Sequence, residues 1–245
     1  MNGLYYDLHL HSCLSPCGDD DMTPANIVGM AAVKGLDVIA LTDHNSCKNC
    51  PAAIHHGQQY GVIVIPGMEL CTIEEVHIIC LFPELDAALA FDQYVYSRLQ
   101  AVENDECIFG KQQVMDEHDI VVETVKNLLI NATNITFDEA FLLVASYGGI
   151  AYPAHIDKPS TSLLSNLGFV PPDSTFTCAE IHDFKNLHTI QKQHPYFLNC
   201  HMISSSDAHY LEDINEPSYQ IFPASSKIPD ILHTLSGKAC PPRQA

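Results

Sequence analysis

Basic residues are scarce: 11 Lys and Arg stand against 30 Asp and Glu in 245 residues, a formal net charge of −19. Nucleic acid is held largely by Lys and Arg neutralising its phosphates, so a surface of this sign repels a long polyanion. No long nucleic-acid partner is therefore expected, although bound divalent cations would turn one cleft locally positive. No apolar run approaches the roughly 20 residues that a membrane-spanning helix needs, and no membrane contact is expected. The opening residues MNGLYYD lack a basic segment leading into an apolar one, so no export signal is expected. Ten cysteines without such a signal are expected as free thiols in a reducing cytoplasm rather than as a disulfide framework. Cys47 and Cys50 form C-x-x-C, but no second pair stands at zinc-ribbon spacing, and the pair reads as structural or incidental. A G-x-S-x-G elbow is missing, as is a cysteine in a phosphate-cradling loop, so no protein nucleophile is evident. Linkers and repeats are missing as well. With 47% hydrophobic and 17% charged residues, the chain reads as a single domain over 1–245.

What is present begins at Leu4–His11, LYYDLHLH. In a strand, successive side chains alternate faces, so Asp7, His9 and His11 are expected on one side and Tyr6, Leu8 and Leu10 on the other. Two imidazoles side by side at a strand end can chelate one metal ion. The pair is answered by Thr42-Asp43-His44, Gly67-Met68-Glu69, Val76-His77, Ala154-His155 and Asp207-Ala208-His209, each at or just after an apolar run. Imidazoles with carboxylates suit Zn, Mn or Fe, whereas an all-oxygen shell would suit Mg or Ca.

The spacing predicts a helix from Thr23 to Gly35, with Thr23 as cap and Pro24 at its first position. It predicts buried strands at Val38–Leu41 and Val62–Ile65 and a helix over 51–60 between them. After a strand within 73–82, helical spacing from Leu85 to Val102 and a helix over 121–130 mark a helical insertion or lid at about 84–136. Thr136-Phe-Asp-Glu139 is a capping box. Strand–helix alternation implies a parallel sheet with right-handed crossovers, and six polar clusters at strand ends converge best in a closed barrel. The fold class expected is α/β.

The ordered set H-x-H, T-D-H, G-x-E, V-H-I, A-H and S-D-x-H resembles the PHP (polymerase and histidinol phosphatase) family of metal-dependent phosphoesterases, from His9 to His209 and most weakly over 84–136. The resemblance implies a distorted (β/α)7 barrel holding two to three divalent transition-metal ions. It implies His9, His11, Glu69 and Asp207 around the first ion, with Glu69 bridging to a second held by His77 and His155. His44 and His209 match the third, with a loop residue beside them: Asp19 by its spacing to Met22-Thr23-Pro24, with Asp20 close behind. Glu69, Asp207 and His209 are expected to be catalytic. Asp43 is expected to support its neighbour His44 rather than bind metal. Lys158 stands where some relatives carry a phosphate-binding Arg, and Lys158 and His182 are the candidate substrate contacts, although Lys lacks the fork of Arg.

The leading functional expectation is hydrolysis of a phosphoester in a small phosphorylated metabolite or nucleotide by a hydroxide bridging two ions. Exonucleolytic or oligonucleotide cleavage is the alternative. An amidohydrolase would need a metal-bridging lysine that is not evident, and a non-catalytic metal-binding regulatory module would be expected to have lost ligands. The oligomeric state is not legible.

Overall fold

Short apolar runs separated by capped helices build the first half of the computed structural model, which describes residues 3–237. Strand β1 (Leu4–Leu10), helix α1 (Pro24–Lys34), β2 (Val38–Leu41), α2 (Cys50–Tyr60) and β3 (Ile63–Cys71) alternate as the spacing predicts. Thr23 Oγ1 accepts the Asn26 N–H at 3.3 Å, and Gly35 (φ 83°) and Gly61 (φ 74°) end the two helices in the left-handed region that glycine tolerates. β1, β2 and β3 pair in parallel.

The alternation stops there. β4 (His77–Leu81) turns back on β3 and pairs antiparallel, because residues 72–76 are too few for the crossover that a parallel neighbour needs. There follow α3 (Leu85–Arg98), α4 (Glu106–Phe109), β5 (Gln113–Met115), β6 (Val121–Thr124), α5 (Phe137–Ser146), β7 (Ile150–Pro153), α6 (Leu163–Asn166), β8 (Cys178–Glu180), α7 (Leu187–Gln193), β9 (His201–Ile203), β10 (Gln220–Ile221) and α8 (Ile228–Ser236). The main sheet runs β10-β1-β2-β3-β4-β7 and curls into a half-barrel, while β8 and β9 form a separate parallel pair. Scattered hydrogen bonds tie that pair and the segment after it to their neighbours, among them Ile156 N–H to the Glu180 carbonyl at 2.9 Å and Leu8 N–H to Ser205 Oγ at 3.2 Å. The fold is thus α/β as expected, but neither wholly parallel nor laddered into one closed seven-stranded ring.

Two apolar clusters flank the sheet. Tyr6, Leu8, Val38, Ala40, Ile65, Ile79 and Tyr152 meet Ile231, Leu232 and Leu235 of α8. Leu10, Ile39 and Leu41 pack instead with Ile27 and Ala31 of α1 and with Ala53 of α2. Leu10 therefore does not share a cluster with Tyr6 and Leu8, as strict alternation predicts. The β1–β2 register shifts between Asp7 and Leu10, and a slip of one residue changes the face presented.

The segment at about 84–136 is not purely helical either. Val121–Thr124 forms a hairpin with β5 rather than opening a helix, consistent with its β-branched content. Asp116 Oδ1 accepts the N–H groups of His118 and Ile120, both at 2.9 Å, and closes the turn. The hairpin leans on the loop after β1, with Gln113 N–H donating to the Cys13 carbonyl at 3.1 Å and Met115 N–H to Asn49 Oδ1 at 2.9 Å.

Gly67 is where β2, β3 and β4 approach closely. A Cβ there would lie 2.8 Å from Leu81 Cδ2 and 2.9 Å from the Cys80 carbonyl oxygen. Gly67→Ala is expected to lose about 1–3 kcal/mol, read as a lower denaturant midpoint with an unchanged slope. An unchanged midpoint would show that the contact relaxes at no cost.

Candidate metal centre

Antiparallel β4 offers its first residue, His77, at the same edge where β1, β2 and β7 offer their last residues or those just beyond. Glu69, in the final turn of register of β3, lies opposite Ile79, two residues from the Cys71–His77 pair. The hairpin that breaks the alternation is therefore what brings His77 to Glu69.

Five imidazoles surround that carboxylate. Glu69 Oε1 lies 3.2 Å from His9 Nε2, 2.8 Å from His77 Nδ1 and 3.1 Å from His155 Nε2. Oε2 lies 3.3 Å from His11 Nε2 and 2.9 Å from His44 Nδ1. Asp207 Oδ1 adds a second carboxylate at 3.2 Å from His9 Nε2 and 3.1 Å from His11 Nε2. Donor atoms gather within 4.8 Å of one another in three overlapping sets: His9, His11, Glu69 and Asp207; His44, Glu69 and His77; His11, His44 and His209. His9, His11, His44, Glu69, His77 and His155 are all buried; Asp207, His209 and Lys158 form the more open rim.

Hydrogen bonds behind the cluster fix which nitrogen faces it. His9 Nδ1 donates to Glu180, whose oxygens lie at 3.0 and 3.3 Å, leaving the Nε2 lone pair inward. Ser15 Oγ–H donates to Asp43 Oδ1 at 2.7 Å, so its lone pair takes His11 Nδ1–H at 3.0 Å and turns His11 Nε2 inward as well. His209 Nδ1 donates to the Asp207 carbonyl at 2.8 Å. His9 Nε2 and His11 Nε2 then face each other at 3.1 Å, and the buried His44 Nδ1 and Glu69 Oε2, 2.9 Å apart, make no hydrogen bond among the described residues. Lone pairs aimed at one another, with outer N–H groups committed to carboxylate, hydroxyl or carbonyl, are the arrangement that metal-binding histidines adopt. The donor set thus fits divalent metal ions.

Charge runs the same way. Burial works against the carboxylate of Glu69, yet the His77, His9 and His44 imidazoles hold it well below its ordinary range. Burial likewise opposes charge on His77, but Glu69 raises it to about 10. Desolvation lowers His44 to about 3, beside Glu69 and His11. Two cluster residues also carry left-handed backbone, His155 at φ 27° and Asp207 at φ 55°. Such conformations cost on the order of 1–3 kcal/mol and gather at functional sites.

Several candidates fall outside the three sets. His155 meets Glu69 Oε1 without joining the His44–Glu69–His77 group. Asp19 Oδ1 accepts the Asp21 N–H at 2.9 Å, and neither Asp19 nor Asp20 is grouped with the imidazoles. Lys158 Nζ pairs with Asp207 Oδ2. His182 is exposed, with its N–H donating to Asp157 Oδ1 at 2.6 Å. The Asp43 carboxylate accepts Ser12 N–H at 2.6 Å and both nearby serine hydroxyls, while its carbonyl accepts the Glu69 N–H at 3.1 Å. Sequence reasoning missed Glu180. A carboxylate inside the apolar run Cys178–Ile181 was the signal, since a buried acid needs a partner. It also missed Asp7, whose oxygens accept Ser206 N–H at 2.9 Å and Asn215 N–H at 3.0 Å and so tie the Asp207 loop to β1.

Two outcomes follow from this geometry. Glu180→Gln, keeping shape and losing charge, is expected to weaken metal binding about 10–100-fold; unchanged affinity by calorimetry would remove Glu180 from that role. His77, raised to about 10 by Glu69, carries a proton at pH 7 in the metal-free chain and must lose it to bind an ion. Metal uptake is then expected to release protons, seen as a binding heat that depends on the buffer, and affinity is expected to fall as pH falls.

The folded chain is similar to the lesion-specific endonuclease EndoQ of Pyrococcus furiosus, with TM-score 0.67 and 18% identity over 96% of this chain and 56% of the other. A complex of endonuclease Q with a 27-mer duplex bearing an abasic lesion gives TM-score 0.62 and 18% identity, over 95% and 56%. The 5′-3′ exoribonuclease of Haemophilus influenzae is 34% identical over 79 residues, 31% of this chain and 28% of its own length. The matched stretch is less than half the length of each curated relative. The duplex in the second structure overturns the expectation that no long nucleic acid is to be expected with this fold. Net charge averages over the whole surface, whereas a cluster of cations can reverse its sign at one cleft. Residues 7–216 match the PHP domain, and the chain belongs to the PHP domain family.

Proposed function

We propose that this chain hydrolyses phosphoester bonds at a centre of two to three divalent transition-metal ions, Zn, Mn or Fe, and that its substrate is a nucleic-acid or oligonucleotide phosphodiester. The observation that carries the reading is Glu69, whose two oxygens face different sets of imidazoles, as a carboxylate shared between ions must. Bound ions would supply Lewis acidity and lower the pKa of water at the site.

The chain's own residues then have distinct tasks. His9, His11 and Asp207 would hold one ion, Glu69 with His77 and His155 a second, and His44 with His209 a third. Asp207, on the rim, orients the attacking water. Lys158, beside Asp207 and partly exposed, holds a phosphate oxygen, and exposed His182 contacts the leaving portion. The hairpin within 84–136, packed on the loop after β1, bounds the rim on that side. The exoribonuclease relatives support the phosphodiester; the excess of acid over base favours a second reading, a small phosphorylated metabolite or mononucleotide, whose charge sits at one phosphate.

The test is nucleotide release from a 5′-phosphorylated oligoribonucleotide, a DNA duplex and a mononucleotide after reconstitution with Mn or Zn. Cleavage of either polymer, abolished by chelator, is the expected result. Phosphate release from the mononucleotide alone would favour the second reading, and no turnover with metal bound would sink both. Lys158→Ala is expected to raise KM several-fold while metal content stays at the parent level, the pattern of a lost substrate contact.

A further inference from the structure

The third set of donors is one protein ligand short. His11 Nε2, its inward nitrogen, already lies against Glu69 and Asp207, so it serves the first position. That leaves His44 and His209 for the third. The atom beside His209 is a sulfur: Cys17 Sγ lies 3.1 Å from His209 Nε2, the nitrogen that faces away from the Nδ1 donating to the Asp207 carbonyl. Bonds of about 2.3 Å to sulfur and 2.0–2.1 Å to nitrogen, meeting at one ion between right and tetrahedral angles, separate the two atoms by roughly 3.1–3.6 Å.

The loop is built to hold the sulfur there. Ser15 N–H donates to the Ser12 carbonyl at 3.0 Å, Gly18 N–H to the Ser15 carbonyl at 2.9 Å, and Asp19 N–H to the His209 carbonyl at 3.0 Å. A Cβ on Gly18 would come within 2.3 Å of the Ser12 oxygen, so only glycine permits the turn that follows Cys17. A second observation, independent of the cysteine, points to a ligand: His44 is 97% buried, its Nδ1 makes no hydrogen bond among the described residues although Glu69 Oε2 lies 2.9 Å away, and one of its ring nitrogens groups with donor atoms of His11 and His209.

We propose that Cys17 is a metal ligand and makes the third position a Cys–His site with His44 and His209, in place of the loop carboxylate expected at Asp19. This rests on the multinuclear reading above. The thiol gives its proton to solvent as the metal–sulfur bond forms. A thiolate makes the position soft, selecting Zn, Fe or Co over Mn or Mg.

Cobalt(II) alone, titrated into the metal-free full chain, reads this without turnover. The parent protein is expected to show a thiolate-to-cobalt charge-transfer band in the near ultraviolet. Cys17→Ser is expected to lose the band and one cobalt per chain, and Cys17→Asp to lose the band while keeping the cobalt; circular dichroism confirms that both fold. Cobalt bound to the parent without the band overturns the thiolate ligand and leaves the metal centre standing. A band that persists in Cys17→Ser places the sulfur at another cysteine and also overturns it. A parent protein that binds no cobalt overturns both readings.

Discussion

A buried carboxylate, Glu69, is the constraint on which the rest of the site depends. Taking one ionised carboxyl out of water costs several kcal/mol, and leaving it unpaired would forfeit stability on that scale. Five imidazoles within 3.3 Å answer it, drawn from β1, the end of β2, the start of β4 and the end of β7. Every strand of the parallel half thus converges on one residue of β3, and the hairpin to β4 closes the set. The imidazoles repel one another when charged, so the arrangement is better satisfied by cations shared among neutral rings than by protons on them.

Behind the imidazoles lies a second ring of hydrogen-bonding residues. Asp43 orders Ser15, Ser15 orders His11, and Glu180 orders His9 while also accepting the His155 N–H at 3.1 Å. Asp7 holds the segment that presents Asp207. Each bond settles a tautomer or a loop position before any ion arrives, which reduces the ordering that binding must accomplish. The left-handed backbone at His155 and Asp207 is tolerated within this network, where several elements determine the conformation together.

The open side of the centre carries Cys17, Lys158, Asp207 and His209, and there the chain's strong negative charge meets its proposed cations. Long-range repulsion and short-range attraction act over different distances: the first is screened beyond about 10 Å in ordinary salt, the second operates in contact. A polyanion end can therefore enter a cationic mouth set in an acidic surface. This is why bulk charge was a poor guide to the substrates of this fold.

Local chemistry was legible in the sequence because it is written in adjacent residues. The caps at Thr23 and Thr136, the glycine exits at Gly35 and Gly61, the apolar strands β2 and β3, and the recurrence of His and Asp at strand ends need only short-range rules. The polarity of β4 was not legible to a reading that expected uniform alternation, though the shortness of 72–76 carried the signal. The hairpin strand at Val121–Thr124 was hidden because its valines serve either element until a partner strand is present. Which loop side chain reaches His209, which acid orders His9, and how the sheet curls without closing depend on tertiary contacts, between residues 192 positions apart in the first case and 171 in the second. Such contacts exist only once the chain is folded, so tertiary structure alone set Cys17 against His209, Glu180 against His9 and five imidazoles around one carboxylate.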